Sequence, residues 1–123
     1  MPDRTRIVYW FSQKRACNAC IEEDMDIVVE LIDSIGQNNF IILSDFLNNK
    51  DRELFEYKYR FNEMCYKVKE GELIKKLDKT PFVRLLFIVN KSNQVLFPVQ
   101  IETVNDLKTG PILELLDYFS CNR

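Results

Sequence analysis

The sequence predicts one α/β domain of 123 residues, built on a central mixed sheet with helices on both faces. Three observations lead there. An apolar strand, a helical stretch and a second apolar strand follow one another at the start, and such a β-α-β unit returns the chain parallel to itself. A hairpin over residues 82–101 then adds antiparallel strands, so the sheet is mixed. The hydrophobic fraction of 46%, with 12% aromatics, fills one core at this length.

The first strand, residues 7–11 (Ile-Val-Tyr-Trp-Phe), is β-branched and aromatic throughout. A run without alternation is buried on both faces. A polar turn over residues 12–16 leads to Cys17. From there to Ile35, Ile21, Met25, Val28, Ile32 and Ile35 keep the i, i+4, i+7 rhythm of one buried stripe, and Gly36 supplies the stop. Glu22, Glu23, Asp24 and Asp26 are expected in the first turns, where the helix dipole favours acids. The second strand covers residues 39–46 around Phe40-Ile41-Ile42-Leu43. Residues 50–61 read as a helix with Leu54, Phe55 and Tyr59 toward the core.

Residues 64–79 carry mixed signals: an extended piece near Tyr66 and Val68, then a helical turn from Leu73 to Leu77. Residues 82–89 are a strand, Lys91-Ser92-Asn93 a tight turn, and residues 94–101 the strand that pairs back. Pro98 lacks a ladder donor, which puts that last strand at a sheet edge. A closing helix opens at Gly110-Pro111, proline suiting a first turn, and carries Ile112, Leu115, Leu116 and Phe119. With no linker, repeat or low-complexity segment, residues 1–123 are read as a single domain. The aromatic group Phe55, Tyr57, Tyr59, Phe61 and Tyr66 reads as core and rim.

Charge narrows the function. The 17 basic and 19 acidic residues leave a net charge of −2, with no basic stripe for nucleic acid. The longest apolar run has the length of a strand, so no bilayer span is expected. Residues 1–6 lack the apolar core of a signal peptide. Two readings fit that opening: a cytoplasmic protein, or the trimmed soluble part of an exported or lipid-anchored one. Histidine is absent altogether, which removes Cys-His and Ser-His-Asp catalysis and imidazole acid–base work. Proton handling falls to carboxylates, thiols, lysines or tyrosines.

Cys17-Asn18-Ala19-Cys20 stands where a strand ends and a helix begins. The unpaired amides and dipole of a helix N-terminus stabilise a thiolate at Cys17, and the thiolate is the species that attacks a disulfide. Cys20, three residues on, is placed to resolve the mixed disulfide. Lys14 and Arg15 add positive charge on the approach side, while the acids after Cys20 oppose it. A structural zinc site usually brings two close ligand pairs. Here Cys65 and Cys121 stand 45 and 101 residues beyond Cys20 with no histidine to help, so no metal is expected and both are read as bystanders. A purely structural disulfide across adjacent turns would constrain little loop entropy. An inert buried pair is the remaining reading.

Over nearly its whole length the chain resembles the thioredoxin superfamily. The resemblance is carried by the aromatic strand Tyr9-Trp10-Phe11, the Cys17-x-x-Cys20 helix, the strand from Phe40 to Leu43, and Thr80-Pro81-Phe82 opening the hairpin. It implies a thioredoxin-like fold, a cis bond before Pro81, and a substrate-binding role for Thr80 and Pro81 facing the cysteines. Within the superfamily the chain looks most like the TlpA-type, often membrane-tethered bacterial thioredoxins, which carry a glutamate three residues after the second cysteine; Glu23 fits that place. Three residues turn a helix by about 300°, which leaves Glu23 roughly 60° from Cys20 around the axis. A partly buried carboxylate there would take the proton from Cys20 as that sulfur attacks. The chain departs from the pattern at Ala16, where a tryptophan is usual, and at Asn18-Ala19 between the cysteines. Phe11 stands where thioredoxin proper has a buried aspartate, and Met25 where a helix proline is common.

The resemblance implies a thiol–disulfide oxidoreductase that exchanges disulfides with protein or small-thiol partners and with an upstream electron donor or acceptor. It would act in cell redox homeostasis as a monomer, with no cofactor beyond the redox-active Cys17–Cys20 disulfide. A periplasmic or membrane-anchored soluble domain is the favoured location, the cytoplasm the other. The alternative is a thioredoxin-like binding module with a non-catalytic cysteine pair. Peroxidase activity has less support, since the Thr-x-x-Cys arrangement of such enzymes is missing.

Overall fold

The structure is a computed structural model, and it describes residues 4–69 and 83–122. Its strands are β1 (Arg6–Phe11), β2 (Phe40–Ser44), β3 (Cys65–Lys67), β4 (Arg84–Val89) and β5 (Val95–Gln100). They form one sheet in the order β3-β2-β1-β4-β5. β1 lies at the centre, parallel to β2 with Ile7 beside Phe40, and antiparallel to β4 with Phe11 beside Arg84. β3 extends the parallel side and β5 the antiparallel side. The mixed sheet is therefore as the sequence implies, and Pro98 does sit in an edge strand.

Helix α1 (Asn18–Ile35) buries Ile21, Met25, Val28 and Ile32. It stops at Gly36, whose φ of 94° few other residues adopt and whose N–H reaches Ile32 O at 2.8 Å. Because the helix starts at Asn18, the acids from Glu22 onward stand beyond its first turn, not in it. Helix α2 (Asn49–Tyr59) is capped by Asn48, whose side chain accepts from Asp51 N–H at 2.9 Å. It ends at Arg60 in the left-handed region, φ 59°. Helix α3 (Gly110–Asn122) buries Ile112, Leu115 and Phe119.

Ile7, Tyr9 and Phe11 share one face of β1 and pack in a cluster with the buried stripes of α1 and α3; Phe55 and Tyr59 of α2 lean on the same cluster. Val8 and Trp10 face the other way and pack with Leu85 and Phe87. Both faces of the central strands are thus out of water, as the unbroken apolar runs require. Leu54 corrects the sequence reading: it is 56% exposed, because Phe55, turned about 100° from it, takes the inward face. The ambiguous stretch after residue 64 opens with β3, whose Cys65 N–H donates to Glu56 of α2 at 3.1 Å. The helical turn expected from Leu73 to Leu77 and Phe82 of the expected strand at 82–89 lie outside the described residues, while Val83 precedes the strand, which starts at Arg84. Among the described residues, no helix is long and apolar enough to cross a membrane.

Candidate active site

β1 delivers the chain to the cysteines through a loop that β2 holds in place. The two strands end level, Phe11 beside Ser44, so the next residues, Ser12 and Asp45, meet. Ser12 Oγ donates to Asp45 Oδ2 at 2.8 Å, and Gln13 N–H donates to Asp45 Oδ1 at 2.6 Å. Gln13 Oε1 in turn accepts from Leu47 N–H at 2.8 Å, and Ala16 N–H closes a turn onto Ser12 O at 2.8 Å. Ser12 and Asp45 are both buried, so these bonds replace lost hydration. Sequence reading passed over this pair. The signal was there: in a parallel pair of equal ends, the polar residues that follow each strand become neighbours.

Cys17 is the N-cap of α1, and its Sγ accepts from Cys20 N–H at 3.0 Å. Its backbone is extended while the next residue is already helical, and that step aims the side chain back over the first turn. The two cysteines are joined in a disulfide with Cα atoms 5.2 Å apart. Cys17 is exposed and Cys20 half-buried; Lys14 and Arg15 are exposed on the loop before them. Cys65 is buried and Cys121 exposed, and neither is in a disulfide. Burial and the nearby Glu56 push the Cys65 thiol well above its ordinary range.

Glu23 is exposed, not partly buried as the spacing suggested. The carboxylate this helix does bury is the next one, Asp24, with no exposed surface at all. Tyr9 Oη donates to Asp24 Oδ2 at 2.6 Å. Arg84 Nε donates to the same oxygen at 2.8 Å, and Nη2 to Oδ1 at 3.3 Å. The reason is helical geometry: Asp24 is three residues after Ile21 and four before Val28, squarely on the buried stripe. Burial raises the Asp24 pKa above its usual value despite the opposing pull of Tyr9 and Arg84. Burial and the facing carboxylate raise Tyr9 well above 10.0. This group sits one helical turn past Cys20 and fixes α1 to β1 and β4. A sequence reading that treats four neighbouring acids as one charged run misses it. Thr80 and Pro81 lie outside the described residues.

No protein-family model and no curated protein matches the sequence. Several solved structures do resemble the fold. A thioredoxin-like protein solved in its oxidised form superposes with a TM-score of 0.66 over 99% of this chain and 82% of its own, at 12% identity. A thiol:disulfide interchange protein of the thioredoxin family from Chlorobium tepidum gives 0.57 over 93% and 81%, at 15% identity. An uncharacterised conserved protein from Geobacillus kaustophilus gives 0.59 at 11% identity; 81% of this chain matches, but only 56% of that longer one. Sheet order, the central strand feeding a Cys-x-x-Cys helix, and these superpositions agree: the chain has the thioredoxin fold.

Proposed function

We propose that this domain is a thiol–disulfide oxidoreductase of the TlpA type, exchanging disulfides with protein or small-thiol partners through Cys17 and Cys20. The observation that carries this reading is an oxidised Cys-x-x-Cys whose exposed first cysteine caps a helix on a rigidly tied loop. In the reduced protein the Cys17 thiolate attacks one sulfur of a partner disulfide. That S–S bond breaks, its far sulfur leaves as a thiolate, and a mixed disulfide forms. Cys20 then loses its proton and attacks Cys17 Sγ, which expels the second partner thiolate and leaves the Cys17–Cys20 disulfide. Two electrons have passed to the partner, and an upstream dithiol returns them by the reverse exchange. Glu23 is assigned as the acceptor of the Cys20 proton, and Thr80 and Pro81 to the face that receives the partner chain.

In a Cys121→Ser background, which removes the exposed free thiol, replacing Cys20 by Ala removes the resolving sulfur, so a disulfide partner should stay linked to Cys17 and appear as a stable adduct by mass spectrometry. No adduct, or one on another cysteine, contradicts the assignment. With Cys20 present, Glu23→Gln should slow resolution at least about tenfold. Glu22→Gln is the control; it breaks only an exposed ion pair with Lys58 at 3.0 Å, which contributes little. Equal rates in both variants would make Glu23 a surface acid.

A further inference from the structure

The link from the sheet to the attacking cysteine can be followed bond by bond. Asp45 stands at the end of β2 and takes two donors from the loop, Ser12 Oγ at 2.8 Å and Gln13 N–H at 2.6 Å. The Ser12 it orients is the hub of the turn. Ser12 Oγ accepts from Arg15 N–H at 3.3 Å, and Ser12 O accepts from Ala16 N–H at 2.8 Å. Ala16 precedes Cys17, whose extended backbone (φ −76°, ψ 142°) holds Sγ at 3.0 Å from Cys20 N–H. Gln13 doubles the tie, its Oε1 accepting from Leu47 N–H at 2.8 Å. Asp45 is 7% exposed and Ser12 fully buried, so water does not stand in for a lost partner.

Resting on the thiol–disulfide reading, we propose that Asp45 is a positioning residue for Cys17. It fixes the Ser12–Ala16 turn so that the Cys17 thiolate stays on the first-turn amide of α1. An amide donor aimed at the sulfur favours thiolate over thiol, and a loop that wanders loses that preference. The role carries a sign that separates it from the two others open to a buried acid. Acting by charge, Asp45 would oppose a thiolate, and its removal would lower the Cys17 pKa. Acting only as support for the fold, it would change stability and leave that pKa alone. Acting by position, its removal raises the pKa.

The test is the pH profile of iodoacetamide alkylation at Cys17. The parent protein is reduced and carries Cys20→Ala, which keeps the backbone N–H, and Cys121→Ser, so the buried Cys65 is the other thiol. Among the described residues, the charged side chains flanking the site are Lys14 and Arg15 on the loop, Glu22 and Glu23 on α1 and Lys58 on α2; all stay in place. Asp45→Ala should move the midpoint of the profile up and cut the rate at pH 7 about tenfold, as for a lost hydrogen bond to a charged group. Asp45→Asn still accepts from Gln13 N–H and meets Ser12 Oγ with its amide, so it should restore the parent profile. Gln13→Ala removes a half-buried side chain and serves where Asp45→Ala fails to fold; it should shift the profile the same way, by about threefold. An unmoved or lowered midpoint in the folded variant overturns the positioning role, as does an Asp45→Asn profile that follows Asp45→Ala. A parent protein whose Cys17 fails to react with Ellman's reagent overturns the thiol reading beneath it instead.

Discussion

Tyr9 donates its hydroxyl to Asp24 at 2.6 Å with both residues fully buried, so ionising the phenol would set a phenolate against a carboxylate away from water. The unfolded chain ionises Tyr9 near 10.0, the folded protein only well above it. Above about pH 10 the unfolded state therefore releases a proton that the native state keeps, and stability present below that pH is lost as pH rises. Urea unfolding between pH 8 and 11 should show a shallower loss for Tyr9→Phe than for the wild type; identical slopes would contradict the buried phenol. Cysteine labelling tests burial at the same scale. Iodoacetamide on the native, oxidised protein should modify the exposed Cys121 and spare the buried Cys65, whose thiol burial keeps protonated. Comparable labelling of both, read by mass spectrometry, would contradict it. Single residues were the hardest scale to read from sequence. Cys17 and Cys20 were visible because their spacing carries chemistry, whereas Asp24 looked like its exposed neighbours Glu22 and Glu23 until its stripe was considered.

Helix α1 is held at two points, by the sulfur cap at Cys17 and by the Asp24 pair with Arg84 on β4. The second is a buried ion pair, and the physics of such pairs is asymmetric. Removing one member strands a charge, while replacing both by apolar residues need cost little. Asp24→Leu alone should lower stability by about 3–5 kcal/mol, and adding Arg84→Met should restore more than about 1 kcal/mol of that. Additive losses in urea unfolding would mean that the two side chains do not act as a pair. The helices and long strands were legible from sequence because their periodicities are strong: the α1 stripe and the unbroken Ile-Val-Tyr-Trp-Phe of β1 admit few alternatives. Leu54 is hard to place from sequence because α2 buries no residue fully, and a weakly amphipathic helix leaves its inward face ambiguous. β3, only three residues long, is defined by its pairing with β2 and not by any local pattern.

At the scale of the whole molecule, the topology explains why the disulfide sits where it does. The central strand β1 ends inside the sheet, a loop pinned by Asp45 carries the chain over that end, and α1 begins with the cysteine. The mixed character of the sheet followed from two local facts in the sequence, a β-α-β start and a closing hairpin, whereas its strand order is set by packing. Thiol–disulfide exchange requires the Cys17–Cys20 disulfide to be reversible in the folded protein, and an equilibrium redox titration tests that directly. Protein poised in dithiothreitol or glutathione buffers is quenched with a mass-tagged alkylating agent and weighed. Cys17 and Cys20 should gain tags together in one two-electron transition, with a midpoint between about −270 and −120 mV. A pair that stays oxidised below about −300 mV while the protein remains folded would mark a structural bond and contradict the account.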